Sequence, residues 1–223
     1  IIGRLVGSEM CIRDRYIMST SKVLVLCAYY RCGSTALCEH YSKKYNIPNY
    51  DEMFFRDADP DKVIDSLSKN NGYVLKIISE QWKNNMEELH RKYIKDVFSE
   101  QGTKVILLYR NNIAESLLSM VHCNHTSTWH NKENNIQDNE INILVNKAVD
   151  TYNNEYIDSI SGMNNILKYI TPSIVFEYQE IFNLSQQGFK KANSNKNYNL
   201  ALEKLTDELK KQLTYESKYF SIT

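Results

Sequence analysis

Val23-Leu24-Val25-Leu26-Cys27-Ala28-Tyr29-Tyr30-Arg31-Cys32-Gly33-Ser34-Thr35-Ala36-Leu37-Cys38-Glu39-His40-Tyr41 decides the fold of this chain. Val23 to Tyr29 is an apolar run of strand length and reads as a buried strand. Tyr30 to Thr35 is a turn, and Ala36 onward continues as a helix. Gly33 followed by two hydroxyl residues at a helix start leaves backbone N–H groups unpaired, and the helix dipole adds positive potential there. Such a turn suits a phosphate or a sulfate. The pattern G-x-x-x-x-G-K-[ST] is missing, and no lysine precedes Ser34 to reach a β/γ-phosphate. Arg31 supplies the charge instead, as a planar fork able to grip an oxyanion twice. Cys32 sits beside Arg31 at the helix N-terminus. That setting favours the thiolate and predicts rapid alkylation.

The chain repeats this grammar downstream. Lys104-Val105-Ile106-Leu107-Leu108-Tyr109 is a second strand, ending in Arg110-Asn111-Asn112. Ile113, Leu117, Met120 and Val121 then share a helical face, with Asn112 as N-cap. The first helix ends near Tyr45-Asn46-Ile47-Pro48, because Pro48 cannot continue it. Asn49-Tyr50-Asp51-Glu52-Met53-Phe54-Phe55 follows, in which Asp51-Glu52 reads as an acidic surface turn or as part of a site. Gly72-Tyr73-Val74-Leu75-Lys76-Ile77-Ile78 is a further strand. Its lysine is expensive to bury unless it is paired or faces a cleft; the alternative is an edge lysine with its head in water.

The rest is mostly helical. Trp82, Met86, Leu89, Tyr93, Ile94 and Val97 predict an amphipathic crossover helix over 82–99. Ile141 to Leu167 predicts a longer helical region bent at Gly162. Cys123 to Asn139 is polar and aperiodic, a loop long enough to serve as an acceptor-site lid. Ser173-Ile174-Val175-Phe176-Glu177-Tyr178 is a fourth strand, and Leu202, Leu205, Leu209 and Leu213 mark a C-terminal helix. The element order predicts an α/β, three-layer P-loop-type fold with a mainly parallel central sheet flanked by helices. In open α/β sheets ligands bind outside the carboxyl ends of the strands, which places Arg31 and Arg110 at one mouth.

Tyr30 to Glu39 resembles the R-S-G-S-T-L-L loop of sulfotransferases that use 3′-phosphoadenosine 5′-phosphosulfate (PAPS), most nearly the bacterial trehalose sulfotransferase branch. Cys32 replaces the usual serine. The resemblance implies that Arg31, Cys32, Gly33, Ser34 and Thr35 hold the 5′-phosphosulfate end of the donor. Arg110 and Ser119 match the arginine and serine of the family's R-x-D-x-x-x-Q-A-x-S motif, which implies a 3′-phosphate site. Asn112 stands where an aspartate is usual, and Glu115-Ser116-Leu117 depart from the motif. Trp129 matches a tryptophan that often follows. Asn49 to Phe55 is similar to the family's E-P-Q-E-F-F segment, so Glu52 takes the place of the proposed general base. The strand with Lys76 resembles G-x-K-L-M-W, which implies a lysine that meets charge on the leaving phosphate. Glu177-Tyr178 is similar to a late acidic-Tyr pair, and Gln187-Gly188-Phe189-Lys190-Lys191 is a poor match to the basic loop over the 3′-phosphate.

The implied protein is a PAPS-dependent transferase acting on a hydroxyl of a carbohydrate or other small metabolite, with no metal. A P-loop phosphotransferase or nucleotide kinase, or a non-catalytic nucleotide-binding protein of the same fold, is the alternative. The kinase would need Mg²⁺ and an aspartate to hold it. The chain has 223 residues with 27 basic and 27 acidic, so charge offers no case for nucleic acid. No run of about eighteen apolar residues occurs, hence no membrane span is expected. The five cysteines include no C-x-x-C and suit a reducing compartment, the cytoplasm. His40, His90, His122, His125 and His130 show no metal spacing. Residues 1–17 carry no secretory pattern and read as a non-native, adapter-derived extension; 18–223 read as one sulfotransferase-like domain. Oligomeric state stays open, a homodimer included.

Overall fold

The computed structural model describes residues 21–53, 59–79, 102–129, 133–184 and 193–216. The expected helix over 82–99, residues 1–17, Phe54-Phe55 and the basic loop 187–191 lie outside the described residues.

Strand β1 spans Lys22–Cys27, and helix α1 spans Ser34–Tyr45. Helix α2 (Pro60–Ser68) precedes β2 (Tyr73–Ile78), and β3 (Thr103–Tyr109) precedes α3 (Ile113–Thr126). After the short β4 (Glu133–Asn134), α4 (Ile141–Thr151) passes through one π-helical stretch, Tyr152–Tyr156, into α5 (Ile157–Leu167). Then come β5 (Ile174–Glu177), α6 (Tyr178–Leu184), the short β6 (Asn193–Ser194) and α7 (Lys196–Glu216).

The main sheet has the order β2-β1-β3-β5, and every pairing in it is parallel. Cys27 pairs with Ile78 on one side and Leu108 on the other, so the carboxyl ends of the three strands finish level. β1 is flanked by β2 on one side and by β3 on the other, so the chain crosses over β1 between β2 and β3. The crevice between such strands is where a parallel sheet binds ligands.

Alternation along β1 makes the layers. Val23, Val25 and Cys27 pack with Leu37, Cys38 and Tyr41 of α1. Leu24 and Leu26 face the other way, onto Val63 and Leu67 of α2 and Met163 and Ile166 of α5. All five β1 side chains from Val23 to Cys27 are fully buried. Each large one contributes about 1.5–3 kcal/mol by leaving water. A separate helical core joins Leu117 and Leu118 of α3, Leu144 and Ala148 of α4, and Ala201 and Leu205 of α7.

Helix boundaries follow local chemistry. Asn46 closes α1 in the left-handed conformation, and Asn112 caps α3 by accepting from the Glu115 amide at 3.0 Å. Sequence reasoning passed over α2, although Asp59 caps it and Pro60 sits at its start, a readable signature. The loop expected from Cys123 begins later, because α3 continues to Thr126 and Ser127 ends it in the left-handed region. Part of that loop is ordered pairing: Glu133–Asn134 lies parallel to Asn193–Ser194. Gly162 does not bend the helix; the irregular stretch is 152–156, where Tyr152 stacks on Tyr156 at 5.6 Å. Gly162 serves a close approach instead, since a Cβ there would lie 3.3 Å from the Ser79 carbonyl oxygen.

Candidate functional site

The turn between β1 and α1 is held from behind by its carbonyls. Ser79 Oγ donates to the Ala28 carbonyl at 2.6 Å, Ser116 Oγ to that of Tyr30 at 2.7 Å, and Arg110 Nη1 to that of Arg31 at 2.9 Å. Arg31 adopts φ 59° and Gly33 φ 82°, both left-handed. Gly33 is the N-cap of α1 and brings no side chain to cap it. A Cβ at Gly33 would come 3.1 Å from the Tyr178 ring and the Ile181 methyl, so glycine is required on two counts. The first turn of α1 therefore meets the mouth of the sheet with its dipole uncapped by any side chain.

On one flank of the turn stands Lys76. Alternation along β2 puts Val74, Lys76 and Ile78 on the face covered by α1. Lys76 Nζ donates to Thr35 Oγ1 at 3.2 Å and pairs with Asp51 Oδ1 and Glu52 Oε1, each at 2.7 Å. Lys76 is only 3% exposed. Burial alone would lower its pKa, but the hydrogen bonds its ammonium donates to Asp51 and Glu52 outweigh it and hold the pKa above the usual lysine range. The expected catalytic pair, Glu52 and Lys76, is thus in direct contact, and both adjoin the turn through Thr35.

On the other flank, Arg31 Nε donates to Ser119 Oγ at 3.1 Å and Nη1 to the Trp129 carbonyl at 2.7 Å. Arg110 lies deeper. Its Nη2 pairs with Glu115 Oε2 at 2.7 Å, and its guanidinium sits 4.1 Å above the Tyr178 ring. Arg110 Nε is buried with no hydrogen-bond partner. Arg110 and Ser119 are thus joined through Arg31, whose carbonyl serves one and whose side chain serves the other. Glu115 and Tyr178 complete this flank. Neither stood among the candidate ligands; Glu115 is where the sequence departs from the sulfotransferase motif.

Cys32 is 1% exposed, so the rapid alkylation expected of it does not fit its burial. Its pKa is lowered, first by a hydrogen bond with Cys27, against burial, and then by the Ser34 amide; Arg31 is not the cause. Cys27 is pushed up by burial. Ser34 is buried at the same helix end. The histidines face elsewhere: the His122 ring nitrogen meets the Asn135 carbonyl at 3.1 Å and His125 meets Glu140 at 2.9 Å. Among the described residues, no cluster of three or more His, Cys, Asp or Glu side chains could hold a metal ion. None of their helices is long and apolar enough to cross a membrane.

No protein-family model matches the chain, and no curated protein matches it. Among solved structures, shikimate kinase from Bacteroides thetaiotaomicron aligns with 85% of this chain and 98% of its own, at 11% identity and a TM-score of 0.27. A likeness that loose assigns no chemistry. The layered parallel sheet stands on the strand pairings themselves.

Proposed function

We propose that the protein transfers a sulfuryl group from PAPS to a hydroxyl of a carbohydrate or another small metabolite. The observation that carries this reading is the contact of Lys76 with Thr35, Asp51 and Glu52. It sets a cation, a carboxylate base and an anion-binding helix end within one hydrogen-bonded group. In the proposed reaction Glu52 takes the proton of the acceptor hydroxyl as its oxygen bonds to sulfur. The bond from sulfur to the bridging phosphate oxygen breaks, and adenosine 3′,5′-bisphosphate leaves. Charge growing on that oxygen is met by Lys76, Arg31 and the α1 N-terminus. Arg110 Nε, the donor on that side chain with no partner, and Ser119 are assigned to the 3′-phosphate. The four described cysteines are free and buried, which suits a cytoplasmic protein.

Phosphoryl transfer is the second reading, because Thr35 and Asp51 are the kinds of group that hold Mg²⁺ in P-loop enzymes. Here both are engaged by the Lys76 ammonium, which favours a reaction whose cation is built into the chain. The two readings predict different ligands. Adenosine 3′,5′-bisphosphate should raise the melting temperature by binding the native state, and ATP with Mg²⁺ should do so far less. Equal or greater stabilisation by ATP with Mg²⁺ reverses the choice.

A further inference from the structure

We propose that Asp51 is a positioning residue: it holds the Lys76 ammonium against the first turn of α1, so that Glu52 is the partner given up when an anion enters the turn. This rests on the reading of that turn as the donor's phosphosulfate site. An ammonium has three N–H donors, and Lys76 has three acceptors in reach: Thr35, Asp51 and Glu52. A phosphate oxygen arriving at Lys76 must replace one of them. Asp51 meets Lys76 twice, since its carbonyl accepts from the Lys76 amide at 2.9 Å while its carboxylate holds Nζ at 2.7 Å.

The backbone around Asp51 is built to keep it there. Residues before it run along β2: the Val74 amide donates to Pro48 at 2.9 Å, and the Tyr50 amide donates to Val74 at 2.9 Å. The Asp51 amide donates to Asn49 Oδ1 at 3.1 Å, closing a tight turn. Asp51 itself has φ 48°. A non-glycine residue persists in that region only where its surroundings over-determine it, and aspartate and asparagine tolerate it best. Glu52 reaches the same ammonium through a side chain with one more rotatable bond. It can therefore swing from lysine to acceptor hydroxyl, whereas the Asp51 carboxylate is tied to the strand that carries Lys76.

Asp51→Asn keeps the left-handed backbone and removes the charge; Asp51→Gly, which also accepts that backbone, is the second variant should the first fold poorly. The measurement is NMR of ¹⁵N-lysine-labelled protein, with Lys76 assigned by Lys76→Arg. The parent should show a slowly exchanging Lys76 ammonium signal. Asp51→Asn and Asp51→Gly should lose it, and Glu52→Gln should keep it with a changed shift. Survival of the signal in both Asp51 variants, its loss in Glu52→Gln, or no slow signal in the parent overturns the proposal. Saturating adenosine 3′,5′-bisphosphate should shift the parent's signal without abolishing it, and its loss on saturation counts against Asp51. If the bisphosphate does not bind, the donor reading falls, while the unliganded spectra still decide the role of Asp51.

Discussion

The two flanks of the β1–α1 turn each pair a cation with carboxylate chemistry, yet they are built for different work. Arg110 and Glu115 have side chains 6% and 10% exposed, and the guanidinium is boxed in by the Tyr178 ring and the Arg31 carbonyl. Lys76 is as deeply buried, at 4%, but its partners Asp51 and Glu52 are 50% and 25% exposed. One flank is a strut whose charges meet each other inside the protein. The other turns a buried cation toward carboxylates that water and a substrate can reach. A buried pair is costly to break and is weak support for net stability; a pair open on one side can exchange partners. On the proposed reading the transfer step sits at Lys76, while Arg110 is braced by Glu115 and keeps Nε for the 3′-phosphate.

The largest expected effect lies on the open flank. Glu52→Gln retains size and hydrogen bonding but cannot take a proton. Turnover with labelled PAPS and a responsive acceptor, found by screening sugars and small alcohols, should fall about 10²–10⁴-fold, the range for a lost general base. Binding of adenosine 3′,5′-bisphosphate and the melting temperature should stay near those of the parent. Retained activity would move the base elsewhere and erase the contrast between the flanks.

On the closed flank the effect should fall on folding. Arg110→Ala strands the Glu115 carboxylate, and removing one member of a buried pair costs about 3–5 kcal/mol. Urea unfolding should register it. The double variant Arg110→Met with Glu115→Leu sharpens the point, since replacing both charges by apolar groups should recover most of the loss. Adenosine 3′,5′-bisphosphate affinity should fall as well, since Arg110 Nε is assigned to the 3′-phosphate; if Arg110→Ala is as stable as the parent, the pair with Glu115 is no strut.

The two flanks also differed in how far the sequence disclosed them. The strands, the turn and the start of α1 were readable, because buried parallel strands write themselves as apolar runs and a glycine before hydroxyl residues marks a helix start. Lys76 stood out as a charge inside such a run, and its contact with Glu52 answers the cost of burying it. Arg110 looked like a residue at a strand end facing a ligand. Its turn inward depends on Glu115, five residues on, and on Tyr178, which only the sheet order brings beneath it. Side-chain partnerships between distant segments, such as Arg31 with Ser119, follow from which strands lie side by side. A linear pattern of hydrophobicity carries little of that. Asp51 was hidden for another reason: its left-handed backbone is a local conformation that aspartate tolerates but does not announce.

The smallest expected effect is a pH dependence, and its sign separates the flanks once more. Burial pulls the Lys76 pKa down, but the hydrogen bonds it donates to Asp51 and Glu52 prevail, so the folded protein holds this proton more tightly than the unfolded chain does. A group whose pKa is raised on folding stabilises the fold fully below its unfolded value, about 10.4 for lysine. That contribution is lost as pH rises through the higher folded value. The stability difference between the parent and Lys76→Met, read from urea midpoints, should therefore be level from neutral pH to about 10 and shrink above it. Because both carboxylates are partly open to solvent, the whole change should be modest. A difference that stays flat above that pH, or grows, would mean that the two carboxylates do not hold the proton on Lys76. The lysine would still be charged at neutral pH, but the contrast between the flanks would then rest on exposure alone.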